Sequence, residues 1–233
     1  MEATLKLIGE EITLQLDHKD QMREKVMPAC REVVRMASEI IKEVHRHHWP
    51  NAKKNLQKAS NAIKEIQKML AKEPDLRFAG FVTMAEKEYA EAAITLSVLG
   101  DKRLPLPAEL GVSAPEYLNG MAEAIGEMRR HLLDRLRKQE FAESERILEI
   151  MDSFYFFLFS LDYPDAILRG LRRMVDNDRG IIERTRGDLT TALIQENLRR
   201  ELLRVEKNIP PHPSLSPTGR RIIGKKNGTK KET

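Results

Sequence analysis

The segment Ser113-Ala114-Pro115-Glu116-Tyr117-Leu118-Asn119-Gly120-Met121-Ala122-Glu123-Ala124-Ile125-Gly126-Glu127-Met128-Arg129-Arg130 opens as a helix should. Ser113 is a natural N-cap, Pro115 suits the first turn, and Glu116, three residues after the cap, completes a capping-box pattern. The run is expected to be helical over 115–138. The chain on both sides has the same character. No run alternates polar and apolar residues as a half-buried strand does. Breaks fall at Pro50, Pro74, the Gly100–Ser113 loop, Gln139-Glu140, Pro164 and 176–178. They delimit about seven helices: 20–48, with Pro28 a start or a kink, then 51–71, 75–99, 115–138, 141–160, 164–175 and 178–207. The expected class is all-α, with short connections making antiparallel neighbours in one bundle. On the last helix Ile181, Ile182, Leu189, Leu193, Leu198, Leu202 and Val205 form an apolar stripe, to be covered within the bundle or by a second subunit.

Composition agrees with a globular helical protein. Of 233 residues, 41% are hydrophobic and 33% charged, which excludes wholesale disorder, collagen-like repeats and a disulfide scaffold. The single cysteine, Cys30, cannot pair within the chain and fits a reducing, cytoplasmic setting. No stretch approaches 18 consecutive apolar residues, and Met1-Glu2-Ala3-Thr4-Leu5-Lys6 lacks a signal-peptide core, so neither a membrane span nor secretion is expected. The net charge of +4 is unevenly placed. Residues 209–233 hold six Lys or Arg against Glu232 alone, which leaves residues 1–208 at −1. That tail, with Pro210, Pro211, Pro213 and Pro217, is expected to be a disordered basic extension, separate from a helical domain over 1–208.

Three acidic positions stand out. From Ile147 to Leu161 eleven of fifteen residues are apolar, so this helix is expected at the centre of the fold or at a subunit interface. Asp152 lies within that run and needs compensation, from an arginine such as Arg129 or Arg130 or from a metal ion. On helix 75–99, Val82, Ala85, Tyr89, Ala92 and Leu96 share one face, and Glu88 and Glu91 flank it about 60° apart. Two carboxylates so placed form either a solvated face or a shared site for a hard cation, Mg²⁺ or Mn²⁺. Were they to meet Asp152 across a helix interface, the three would suit metal-assisted phosphodiester hydrolysis, with Glu127 a fourth acid or an ordinary salt-bridge partner.

Basic residues cluster too. Between Lys42 and Lys64 there are six Lys or Arg, including Arg46, Lys53 and Lys54, against Glu43 alone; a second group holds Arg129, Arg130, Arg135 and Arg137. Each is either a solvated face or a phosphate-contacting stripe. Aromatic residues are only 5% of the chain, so recognition of nucleic acid is expected to be led by the backbone and weakly sequence-specific. His45-Arg46-His47-His48 reads as a basic helix end that complements the helix dipole.

The segment from Ala114 to Arg130 resembles the translin family signature, a Tyr-Leu-x-Gly start followed by Gly-Glu-x-x-Arg. Glu88-Tyr89-Ala90-Glu91-Ala92 resembles the Glu-Tyr-Val-Glu-Ala stretch of translin-associated factor X (TRAX), and Met151-Asp152-Ser153-Phe154 resembles the surroundings of that branch's later catalytic Asp. Arg77-Phe78 is similar to a pair in translin's nucleic-acid-contacting region. The resemblance covers about 25–207. It implies a seven-helix fold and homo-oligomeric shells, hexamer to octamer, of an archaeal homologue that binds single-stranded or short duplex RNA, with single-stranded DNA as a further ligand. For the TRAX branch it implies an Mg²⁺- or Mn²⁺-dependent endoribonuclease with Glu88, Glu91 and Asp152 as metal ligands and catalytic acids. By the same reading Glu127 joins the metal, and Arg46, Lys53, Lys54, Arg77, Arg129 and Arg130 contact nucleic acid. The alternatives are a non-catalytic RNA- or DNA-binding protein like translin, a PhoU-like metal-binding regulatory bundle and a purely structural bundle.

Overall fold

Proline, glycine and left-handed residues divide the long apolar-periodic runs into helices. The computed structural model describes residues 1–208. Among them are nine helices and no strand: α1 (Glu2–His45), α2 (Trp49–Met69), α3 (Pro74–Arg77), α4 (Gly80–Leu99), α5 (Pro107–Leu110), α6 (Ala114–Arg137), α7 (Phe141–Phe159), α8 (Asp165–Leu168) and α9 (Leu171–Asn208). The expectations for the tail at 209–233 lie outside the described residues. No described helix is long and apolar enough to cross a membrane.

The all-α class holds, and the count rises from seven to nine because α3 splits off the expected 75–99 helix and α5 adds a single turn in the loop after it, while α8 is all that stays separate of the expected 164–175 helix. Extended backbone at Ala79 separates α3 from α4. Arg169 and Gly170, both at positive φ, separate α8 from α9. The expected break at 176–178 does not occur, and α9 runs through it. Helix α1 begins at Glu2 and accommodates Pro28 internally. The capping box at Ser113 is not formed: no side chain caps α6, and Glu116 pairs with Arg169. The reciprocal bond appears instead at the start of α5, where the Leu106 N–H donates to Glu109 Oε2 at 2.7 Å.

The described residues divide into two units, Met1–Ala192 and 193–208. Within the first, α4 packs against α1, α2 and α6, and α6 packs against α7. The central helix is therefore α4, not α7. It buries residues on nearly every side, from Val82 and Ala85 to Val98 and Leu99. Helix α7 buries Ile147, Leu148, Met151, Phe154 and Leu158 but leaves Phe156, Phe157 and Phe159 exposed. Cys30 is buried. Of the expected C-terminal stripe, Ile182 and Leu189 are buried within the first unit, while Leu198, Leu202 and Val205 in the second unit, described over 193–208, are exposed.

One crossing positions the functional region. A Cβ at Gly120 of α6 would lie 2.8 Å from both Glu91 N and Lys87 O of α4, and 3.0 Å from Ala90 Cβ. Only glycine lets the two backbones approach so closely.

Candidate metal centre

That close approach sets one turn of α4 against one turn of α6. Glu88 and Glu91, three residues apart, lie on the α4 side of the crossing. Glu123, three residues after Gly120, faces them from α6. A carboxylate oxygen from each of the three lies within 4.8 Å of the others. Glu91 is 7% exposed, while Glu88 and Glu123 are partly open. Burial, with the neighbouring charges of Glu123, Glu88 and Glu127, pushes the Glu91 carboxyl up to about 8.

Lys87 reaches into the group, its Nζ 2.5 Å from Glu123 and 3.4 Å from Glu88. Partial burial works against its charge, yet these carboxylates hold its pKa above the ordinary lysine value. A cleft of about 640 Å³ opens beside Glu91 and Glu123, its far side formed by Arg173, Asn177 and Asp178 of α9. Asp178 is 4% exposed, and its Oδ2 has no hydrogen-bond partner. Burial and the charge of Glu123 raise its carboxyl to about 7.

Oxygen-only donors are what a hard cation such as Mg²⁺ or Mn²⁺ prefers. The crowding of like charges that burial enforces here, and the orphaned oxygen on Asp178, are both relieved by a divalent cation. The residues therefore fit one.

The expected sites are placed unevenly. Glu88 and Glu91 converge, and Glu123 joins them where Asp152 had been expected. Asp152 lies on α7, and its Oδ1 and Oδ2 accept from Arg186 Nη2 at 2.7 and 2.8 Å. Its compensation is an arginine, as one of the two readings required, but from α9 rather than Arg129 or Arg130. It lies outside the acidic group, on a helix that packs chiefly on α6. Glu127, one turn beyond Glu123, accepts a hydrogen bond from His45 Nε2 at 2.5 Å and lies 3.8 Å from Arg130. Its pKa is lowered chiefly by the His45 hydrogen bond. Glu127 is thus a partner of α1 beside the acidic group.

Among the basic residues, Arg46, Lys53 and Lys54 are exposed on α1's end and α2's start, and Arg130 is exposed on α6. Arg77 is drawn inward to Glu86 at 2.8 Å, and Arg129 binds Thr185 and Asp188 of α9. The second cluster is largely paired internally, with Arg135 on Glu140 and His47. Burial and the nearby Arg135 charge lower His131 to about 4, so it adds no positive charge at neutral pH. Phe78 is exposed beside two guanidinium groups, with Arg77 and Arg169 5.7 and 5.6 Å from its ring centre.

No family model matches the chain. An uncharacterized protein of Methanocaldococcus jannaschii is 33% identical over 193 residues, which cover 82% of this chain and 85% of the relative. The crystal structure of AfC3PO is similar with a TM-score of 0.73 and 30% identity, over 80% of this chain and 97% of that one. The structure of AfC3PO with duplex RNA is similar at 0.72 and 29%, over 80% and 96%. Apo-NeC3PO, at 0.69 and 20% identity over 78% and 96%, shares the fold.

Proposed function

The chain belongs to the translin/TRAX-like C3PO family, and on that premise we propose that it is a metal-dependent endoribonuclease working within a homo-oligomer. The observation that carries this reading is the convergence of Glu88, Glu91 and Glu123 from two helices onto one point. These three would hold Mg²⁺ or Mn²⁺, which supplies Lewis-acid activation of water and neutralises charge developing on a phosphodiester.

The chain's own residues set the conditions for that chemistry. Glu91, buried at the floor, must give up its proton before it can act as a ligand, so occupancy of the site depends on pH. Lys87 keeps a positive charge beside the carboxylates, where an RNA phosphate would enter. Exposed Arg46, Lys53, Lys54 and Arg130 offer phosphate contacts without base readout. Arg77 and Arg129, already held by Glu86 and by Asp188, serve as positioning residues in this reading. The duplex RNA bound by AfC3PO supports RNA as the polymer, in single-stranded or short duplex form. The exposed Phe156, Phe157 and Phe159 supply the apolar face an assembly needs.

One observation favours a second reading, a non-catalytic nucleic-acid binder. Lys87 already offsets two of the three carboxylates without any cation. Incubation of a labelled RNA with the protein in Mg²⁺ or Mn²⁺, with and without EDTA, separates the two. Nuclease action predicts metal-dependent cleavage that falls by about two orders of magnitude or more in Glu91→Gln and Glu123→Gln. Asp152→Asn, which touches only the Arg186 pair, retains cleavage. Cleavage indifferent to EDTA and to both Gln substitutions would refute it, and binding without cleavage would support the binder.

A further inference from the structure

The residues of α9 that face the bundle are Leu171, Val175, Asp178, Ile182, Thr185 and Leu189, spaced alternately four and three apart. This is the spacing of a helix seam, where apolar side chains belong. Two of the six are polar, and their situations differ. Thr185 is satisfied: its Oγ1 donates to the Ile181 carbonyl at 2.7 Å and accepts from Arg129 Nη1 at 2.5 Å. Asp178 has no such partner on Oδ2, and it forms no ion pair among the described residues. A carboxylate 96% removed from solvent, with an unused acceptor, is costly unless something outside the chain satisfies it. It lines the cleft whose opposite wall is Glu91 and Glu123. Its oxygens do not fall within the 4.8 Å grouping of Glu88, Glu91 and Glu123, so it is not a fourth ligand in this arrangement.

We propose that Asp178 is a positioning residue of the metal centre, accepting a hydrogen bond from a water in the hydration shell of a divalent cation held by Glu88, Glu91 and Glu123. The proposal rests on the metal-centre reading above. Mg²⁺ keeps several of its waters when bound by few carboxylates, and those waters need acceptors around them. Asp178 is the buried acceptor on the α9 side. Through it, cation binding also fastens α9 to the α4–α6 pair, which a site built from α4 and α6 alone would not do.

The test is calorimetric titration of the full-length protein with Mn²⁺, with thermal unfolding recorded with and without the ion, for wild type, Asp178→Asn, Asp178→Leu and Glu91→Gln. The expected result is Mn²⁺ affinity weakened by about 10- to 100-fold in both Asp178 variants, the usual cost of losing an outer partner. Their unfolding temperature without metal should be unchanged or higher, because a buried acid without a partner has been removed. Their metal-induced rise should shrink. Affinity within twofold of wild type in both variants overturns the proposal. So does an equal fall in metal-free unfolding temperature in both, which would make Asp178 merely structural. If Asp178 variants bind normally while Glu91→Gln does not, only the role of Asp178 fails; if wild type binds no Mn²⁺, the metal centre itself fails.

Discussion

Glu91 concentrates the electrostatics of the site. Its carboxyl is raised from the ordinary 4.5 to about 8 by burial and by three neighbouring acids. Between those values the folded metal-free protein keeps a proton that the unfolded chain has released. Its stability from this group is therefore full below about 4.5 and is lost as pH rises toward 8. Denaturant unfolding of the metal-free protein at pH 5, 7 and 9 should show this decline, and Glu91→Gln should flatten it. The same proton must leave when a cation binds, so Mn²⁺ affinity should climb as pH rises toward 8. Lys87 gives a second prediction. Lys87→Met removes a resident counter-charge from Glu123 and Glu88. The metal-free protein should then unfold at a lower temperature, and Mn²⁺ should raise that temperature by more than in wild type. Glu88 and Glu91 were singled out in the sequence by a spacing that fits a solvated face as well as a cation site, and by the resemblance to the TRAX stretch Glu-Tyr-Val-Glu-Ala. Glu123 was not, since nothing on α6 alone marks it; its role depends on which helix α6 crosses and where. For Asp152 the residue-level reading of an arginine partner is met, while only the resemblance grouped it with the two glutamates. Its neighbours in sequence are apolar, but it sits at the edge of α7's buried face, where Arg186 reaches it.

At the scale of helices, the α4–α6 crossing is the feature that makes the site. Glycine inside a helix costs about 1 kcal/mol relative to alanine, so Gly120 needs a reason, and the 2.8 Å approach of α4's backbone supplies it. Gly126, one and a half turns on, has nothing within 4 Å of a built Cβ. The two should answer substitution in opposite senses. Gly126→Ala should stabilise by up to about 1 kcal/mol. Gly120→Ala should destabilise, because overpacking costs of about 1–3 kcal/mol outweigh the gain in helix propensity. It should also weaken Mn²⁺ binding, as α6 is pushed off α4. Chemical denaturation of both variants reads the sign directly. Helix existence was plain from the periodicity, whereas the boundaries at α3, α5, α8 and the start of α9 depend on single left-handed or extended residues such as Ala79 and Arg169. The acid of α9 at position 178 was readable in principle as a polar residue at a seam spacing. It was obscured by Asp176 and Asn177, which together with it look like a loop.

At the scale of the whole molecule, the aromatic run of α7 separates an isolated chain from an assembled one. Phe156 and Phe159 are each 65% exposed, and Phe157 48%. Leu106, Tyr163 and Ile167 are also exposed, and all three line one apolar groove with Leu118, Met121 and Phe157. Single exposed apolar residues are ordinary; a set this large is what the proposed assembly would cover. Phe156→Glu combined with Phe159→Glu should shift the protein toward smaller species in light scattering coupled to size-exclusion chromatography, with its helical content unchanged. Read from sequence, this helix belonged either at the centre of the fold or at a subunit interface. The centre is held by α4 instead, and α7 turns Met151 and Phe154 inward and leaves its later phenylalanines exposed. The net charge of +4 describes the whole chain poorly, since residues 1–208 carry −1. What orders the molecule is local: exposed cations on α1 and α2, and acids gathered where α4 meets α6.

The most direct measurement is an anomalous difference map from a crystal of this protein soaked in Mn²⁺. The expected result is a peak bounded by carboxylate oxygens of Glu88, Glu91 and Glu123, with Lys87 turned away from it and Asp152 still on Arg186. A soaked crystal with no peak among those three glutamates, or with Mn²⁺ bound at Asp152 instead, would contradict it.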